Sequence, residues 1–187
     1  MDYKLIKTEK SGHAFIITFN RPKVRNAIST GVMDELMAAA AEAQADPDMR
    51  GIIVTGGQEF FSAGADLNDA QALSSPSETL TYLRKWHKTC AAFEENNLPT
   101  IAAIEGFCMT GGCEFMLALD VRIGAVGSSY AITSARIGTV AGAGGTMRLP
   151  RIVGPANAME MMFDADPVDA ENAFRIGLIN KLVPKGT

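Results

Sequence analysis

Apolar residues recur along this chain with two different periods. In "HAFIITFN" (13–20) and "RGIIVTGG" (50–57) they form short β-branched and aromatic runs, the first ended by Asn20-Arg21-Pro22. That is the pattern of buried strands bounded by turn residues. "TIAAIEG" (100–106) and "VRIGAV" (121–126) repeat it. Between these runs the spacing changes to that of helices. Ser29 is a candidate N-cap for a helix over 29–45, with Val32, Leu36, Ala40 and Ala43 on one face. Ser77 opens a second helix over 77–95, with Leu80, Leu83, Trp86, Cys90 and Phe93 along its apolar side. A turn at Met109 to Gly112 leads into a third helix through about Leu119, and short helices near 146–152, 155–163 and 167–176 close the chain. Strands alternating with helices predict an α/β fold in one domain, 1–187, with no exact repeat, low-complexity linker or internal boundary.

Composition narrows the function classes. Apolar residues make up 47% of the 187, and the net charge is −4 with the basic residues scattered, so there is no nucleic-acid footprint. The exception is the small basic cluster Arg21, Lys23, Arg25. Cys90, Cys108 and Cys113 form no paired framework, which reads as a reducing compartment. His13 and His87 lie far apart, so no metal site is expected. The start, "MDYKLIKTEK", carries no apolar core of a signal peptide, and no run approaches a transmembrane length. The expectation is a soluble, cytoplasmic protein without nucleic-acid or membrane partners.

Candidate chemistry centres on "GFCMTGGCEFMLALD" (106–120), where Glu114 is the one charged residue between Gly112 and Asp120. Burial raises a carboxyl pKa and a helix N-terminus lowers it. Two readings stay open: Glu114 caps its own helix, or it is a poised acid–base group. Gly111 and Gly112 leave backbone N–H groups uncovered, and such donors hold a developing anion. A second small-residue turn, "SAGAD" (62–66), follows the strand that ends near Val54, and the two turns are candidates to converge on one oxygen. "VAGAGGT" (140–146) lacks the spacing of a dinucleotide loop, and no P-loop occurs. Cys113 has no local His to activate it and reads as a core thiol. The Trp86 stripe reads as core rather than a cofactor box.

These residues resemble the enoyl-CoA hydratase/isomerase, or crotonase, family. The resemblance runs through "ITFNRPKVRNAIS", "FFSAGADL", "IEGFCMTGGCEFMLALD", "RIGTVAGAGGTMRLPRIVG" and "AFRIGLINKLVP", in that order. It implies a spiral of ββα turns, assembly as trimers or dimers of trimers, and an acyl-CoA thioester substrate stabilised as its enolate. Coenzyme A then belongs to the substrate, and no separate cofactor is expected. By the same resemblance the oxyanion-hole N–H groups fall on Ala65 and Gly111, and the first family glutamate on Glu114. Ala63, Asp66, Leu67 and Asn68 fall where the CoA moiety is held, and Lys23, Val24 and Arg25 near its phosphates.

Two departures from the family pattern matter. Where the family's hydratases carry a second glutamate, "YAITSARIG" places Ser134, with Arg136 two residues on. The family also continues past "LINKLVP" into helices that cover the acyl pocket and build the trimer. A fragment or shortened form, with that helical region truncated or absent, is therefore expected. A one-glutamate hydratase leads the functional expectations. An isomerase or an acyl-CoA decarboxylase follows, since losing CO₂ asks more for enolate stabilisation than for paired carboxylates. A non-catalytic CoA-thioester-binding or assembly protein is the reading from another class.

Overall fold

The computed structural model describes residues 2–187. Its chain winds as a spiral in which successive strands are dealt to two sheets. The larger sheet takes β1 (Ile6–Ser11), β2 (Ala14–Phe19), β3 (Gly51–Thr55), β5 (Thr100–Ile104), β7 (Val121–Ala125) and β10 (Lys181–Val183), in that spatial order. The smaller takes β4 (Phe60–Ser62), β6 (Phe107–Met109), β8 (Ser129–Ala131) and β9 (Val168–Asp169). Three turns repeat the plan: a strand in the large sheet, a short strand in the small one, then helix. Apart from the β1–β2 hairpin, the large sheet is parallel. The expected α/β spiral is the observed one.

The helices cover these sheets: α1 (Thr30–Ala45), α2 (Leu67–Gln71), α3 (Pro76–Glu94), α4 (Gly111–Met116), α5 (Gly145–Val153), α6 (Pro155–Asp164) and α7 (Ala170–Arg175). Ser29 caps α1 as expected, its hydroxyl accepting from Val32 N–H at 3.3 Å. The second long helix starts earlier than the periodicity implied. Its cap is Ser75 rather than Ser77, Pro76 takes the first helical position, and Glu78 reaches back to Ser74 N–H at 2.7 Å. This reciprocal capping, with proline at the first turn, is what fixes the start. Leu80 is exposed rather than on the apolar face. The stretch 167–176 is not one helix: Val168–Asp169 pairs with β8 before α7 begins.

An aromatic cluster joins the large sheet to α4. Phe115 meets Phe93 at 5.1 Å and Phe19 at 6.2 Å between ring centroids, all near edge-on, the favoured geometry for such pairs. Beside this cluster, at the β1 edge, one carboxylate organises the chain entry: Glu35 on α1 accepts the backbone N–H groups of Lys4, Leu5 and Ile6 at 3.0, 2.8 and 3.0 Å. Glu35→Ala leaves those donors without their acceptor. The expected result is a loss of roughly 1–3 kcal/mol in unfolding free energy, read from urea titration, with activity per folded molecule unchanged.

Candidate active site

The site is built where two strand-to-helix turns meet. Residues 63–66 are stitched to residues 25–28 by alternating backbone bonds. Ala63 N–H donates to Arg25 O at 2.9 Å, Ile28 N–H to Gly64 O at 2.7 Å, and Asp66 N–H to Ile28 O at 3.0 Å. Gly64 N–H donates to the Ser62 hydroxyl at 3.1 Å, which itself donates to Asn26 O at 2.8 Å. Buried Asn26 in turn spans Gly56 O, Phe60 O and Phe61 O with its amide nitrogen. This stitching uses every neighbouring N–H and leaves that of Ala65 with no acceptor among the described residues. Gly111 N–H, at the first position of α4, is equally without an acceptor, as helix starts are by construction.

The two donors are neighbours. A Cβ built on Gly111 would stand 2.9 Å from Ala65 N and 3.0 Å from Cη2 of Trp86, so glycine is what the close approach requires. The residue before it is strained: Thr110 has φ 43° and ψ −109°, a left-handed backbone in a β-branched residue, at a cost of about 1–3 kcal/mol. Its neighbours hold it there. Thr110 N–H donates to Ala131 O at 2.7 Å, its hydroxyl lies 2.6 Å from that of Thr133, and its carbonyl accepts from Glu114 N–H at 2.8 Å.

Glu114 is 3% exposed. It does not cap α4. Its carboxylate accepts from the first N–H of a different helix, Gly145 of α5, at 2.8 Å, and also from Ala143. A Cβ at Gly145 would sit 2.9 Å from the Glu114 Cγ, which excludes larger residues there. The loop 141–145 is fixed in turn by Arg148, whose guanidinium forks onto Glu94 of α3 at 2.6 Å twice and donates to Ala143 O at 3.1 Å. Burial pushes the Glu114 carboxyl up to about 7, against the lowering pull of the Gly145 and Ala143 N–H groups and the Arg148 charge. A carboxyl at that level exchanges a proton near neutral pH.

Ala65, Gly111 and Glu114 face one cleft of about 550 Å³. Ala63, Asp66, Leu67, Asn68, Val24 and Ser134 also line it; Lys23 and Arg25 do not, and stand exposed just outside on the turn Pro22–Val24 and its left-handed exit. The Asp66 side chain is committed to structure, taking Arg21 at 2.8 Å and Asn68 N–H at 3.0 Å. Burial alone raises its carboxyl, but Arg21 and Asn68 outweigh that and hold it below the usual carboxylate range. Ser134 is buried at the start of a single 3₁₀ turn. Arg136 is exposed and ion-paired with Asp166. Trp86 belongs both to the core and to the cleft wall.

Tyr82 and Thr133 reach the cleft only through long-range packing. Thr110 stands in the turn before Gly111 and Gly145 among the glycines of "VAGAGGT", but neither residue type announces its part in the site. Among the described residues there is no cluster of metal-ligating side chains, and no helix is long and apolar enough to cross a membrane.

The sequence and the fold both have counterparts among known proteins. The chain is 37% identical over 185 residues to a probable enoyl-CoA hydratase of Mycobacterium tuberculosis, covering 98% of this chain and 70% of that protein. It is 38% identical to a crotonyl-CoA hydratase of Syntrophomonas wolfei, with the same coverage. The solved structure of DspI from Pseudomonas aeruginosa superposes with a TM-score of 0.93 at 36% identity, over all of this chain and 71% of that one. The sequence profile of enoyl-CoA hydratase/isomerase matches residues 9–187, and with the two converging turns and the buried glutamate in place the chain belongs to the enoyl-CoA hydratase/isomerase family.

Proposed function

We propose that this protein binds an acyl-CoA thioester, holds the thioester oxygen on the N–H groups of Ala65 and Gly111, and moves protons beside it through Glu114. The observation that carries this reading is the pair of N–H groups without acceptors, brought together at the wall of a cleft that also contains a carboxyl poised near 7. Donors fixed before reaction stabilise charge as it develops on the oxygen, and no reorganisation is needed at the moment of proton transfer. The resulting enolate is the common intermediate of hydration, double-bond isomerisation and decarboxylation. Coenzyme A enters as part of the substrate. Its arm leads outward past Leu67 and Asn68 toward Lys23 and Arg25, whose charges suit its phosphates.

Hydration is the leading reaction, in keeping with the names of the relatives. Ser134 favours a second reading. A serine hydroxyl holds a water but is far too weak an acid to stand in for a carboxylate near neutral pH. Slow hydration alongside competent α-proton transfer is the signature of isomerase or decarboxylase chemistry. Incubation with enoyl-CoA, acyl-CoA and malonyl-type CoA thioesters in heavy water, read by mass spectrometry, separates these outcomes. Deuterium at the α-carbon supports the enolate; no exchange and no product from any thioester removes the proposal. Within the same assay, Ser134→Glu is expected to raise hydration relative to α-exchange by at least about tenfold, the modest end of what a positioned acid–base group contributes. Arg136 is turned to Asp166 and will not neutralise the new charge, so the gain is expected to be largest where one of the two glutamates is protonated. A ratio unchanged by Ser134→Glu would show that position 134 takes no part.

A further inference from the structure

Tyr82 stands one helical turn before Trp86 on the cleft side of α3, the two rings edge-on with centroids 6.5 Å apart. Its phenol oxygen is shielded from solvent and makes no hydrogen bond of normal geometry among the described residues; the neighbouring Trp86 indole N–H can only donate, so the phenol O–H itself lacks an acceptor. The polar groups around it are already engaged: Thr110 with Thr133, Asp66 with Arg21 and Asn68, Glu114 with Gly145. A buried phenol normally finds an acceptor, and an orphaned donor in a native structure calls for a reason. The Tyr82 side chain lines a cavity, its ring partly exposed and its hydroxyl covered. Whatever enters that cavity satisfies it only by bringing an acceptor atom.

Resting on the acyl-CoA reading above, we propose that Tyr82 is a specificity-determining residue whose hydroxyl donates to a neutral oxygen, keto or hydroxyl, carried by the acyl group of the substrate. Position selects the acyl end. Trp86 packs against Gly111, where the thioester oxygen is held, and Tyr82 lies one turn, roughly 6 Å, further along the helix. That separation is spanned by a few acyl carbons, and Lys23 and Arg25, where the CoA phosphates are placed, do not line this cleft. Charge selects a neutral acceptor. Burial above all, and beyond it the negative charges of Asp69, Asp66 and Glu114, raise the phenol against the lowering pull of the Trp86 indole, and an acyl carboxylate would meet the same unfavourable field.

The test measures binding of hexanoyl-CoA, 3-oxohexanoyl-CoA and 5-oxohexanoyl-CoA to the wild type and to Tyr82→Phe by calorimetry. The wild type is expected to bind at least one oxo thioester about tenfold more tightly than hexanoyl-CoA, the worth of satisfying a buried donor. In Tyr82→Phe that preference should vanish while hexanoyl-CoA binds as well or better, because the substitution removes only an unpartnered hydroxyl. For the same reason the thermal midpoint should not fall. A preference that survives in Tyr82→Phe, equal weakening of all three thioesters, or no preference in the wild type overturns the assignment to Tyr82 and leaves the acyl-CoA reading intact. Failure of the wild type to bind any of the three removes that reading, and this one with it.

Discussion

Glu114→Gln is expected to lower turnover on an acyl-CoA substrate by about 10²–10⁴-fold, the usual worth of a positioned acid–base group, with thioester affinity little changed. Glutamine keeps the shape and still offers an oxygen to the Gly145 N–H, so the start of α5 stays capped. The pH dependence gives a second handle. Burial holds the Glu114 carboxyl at about 7 in the folded chain, against 4.5 for the free group. Between those values the folded protein retains a proton that the unfolded chain has released. The contribution of this group to stability is therefore fully present below about 4.5 and is lost as pH rises through about 7. The loss is on the order of a few kcal/mol. Denaturant titrations across pH 4–8 should show it in the wild type and not in Glu114→Gln. If Glu114→Gln unfolds easily yet keeps full activity per folded molecule, the carboxylate is only the cap of α5.

Gly111→Ala is the second large effect. The new methyl meets Ala65 N and the Trp86 ring at 2.9 and 3.0 Å, closer than carbon approaches either, so the two turns must separate or the indole must move. Loss of one aligned oxyanion donor lowers turnover by about 10²–10³-fold, and a displaced pair should behave similarly. Alanine is otherwise welcome in a helix, so the fold is expected to survive, with circular dichroism as the check. Wild-type turnover in a folded Gly111→Ala protein would contradict the placement of the thioester oxygen.

How far the site was legible beforehand follows from what is local. The parallel strands announced themselves through runs such as "RGIIVTGG", because one face is fully buried and the other half-covered, which leaves little room for polar side chains. Strands of two or three residues, such as Phe60–Ser62 and Val168–Asp169, are too short for any period to show; pairing partners from other turns of the spiral define them. Glu114 and Gly111 stood out because a lone carboxylate and paired glycines are anomalies in an apolar segment. The partner of Glu114 did not: Gly145 lies 31 residues away, and the cap it needs belongs to another helix. Thr110 was unreadable for the same reason, since its left-handed backbone is held by Ala131 and Thr133 from the next turn. Tyr82 carried no signal because an unmet hydrogen bond exists only once the fold has closed around it.

The carbonyl itself reports most directly on the central claim that Ala65 and Gly111 polarise a thioester. Hexanoyl-CoA labelled with ¹³C at the carbonyl gives an isotope-edited infrared band that moves to lower frequency as hydrogen bonds draw electrons toward oxygen. Bound to the wild type, the band is predicted below its position in water, and in Gly111→Ala that displacement should largely disappear. A band that stays at its aqueous frequency in the wild type, or one displaced equally in both proteins, contradicts the account.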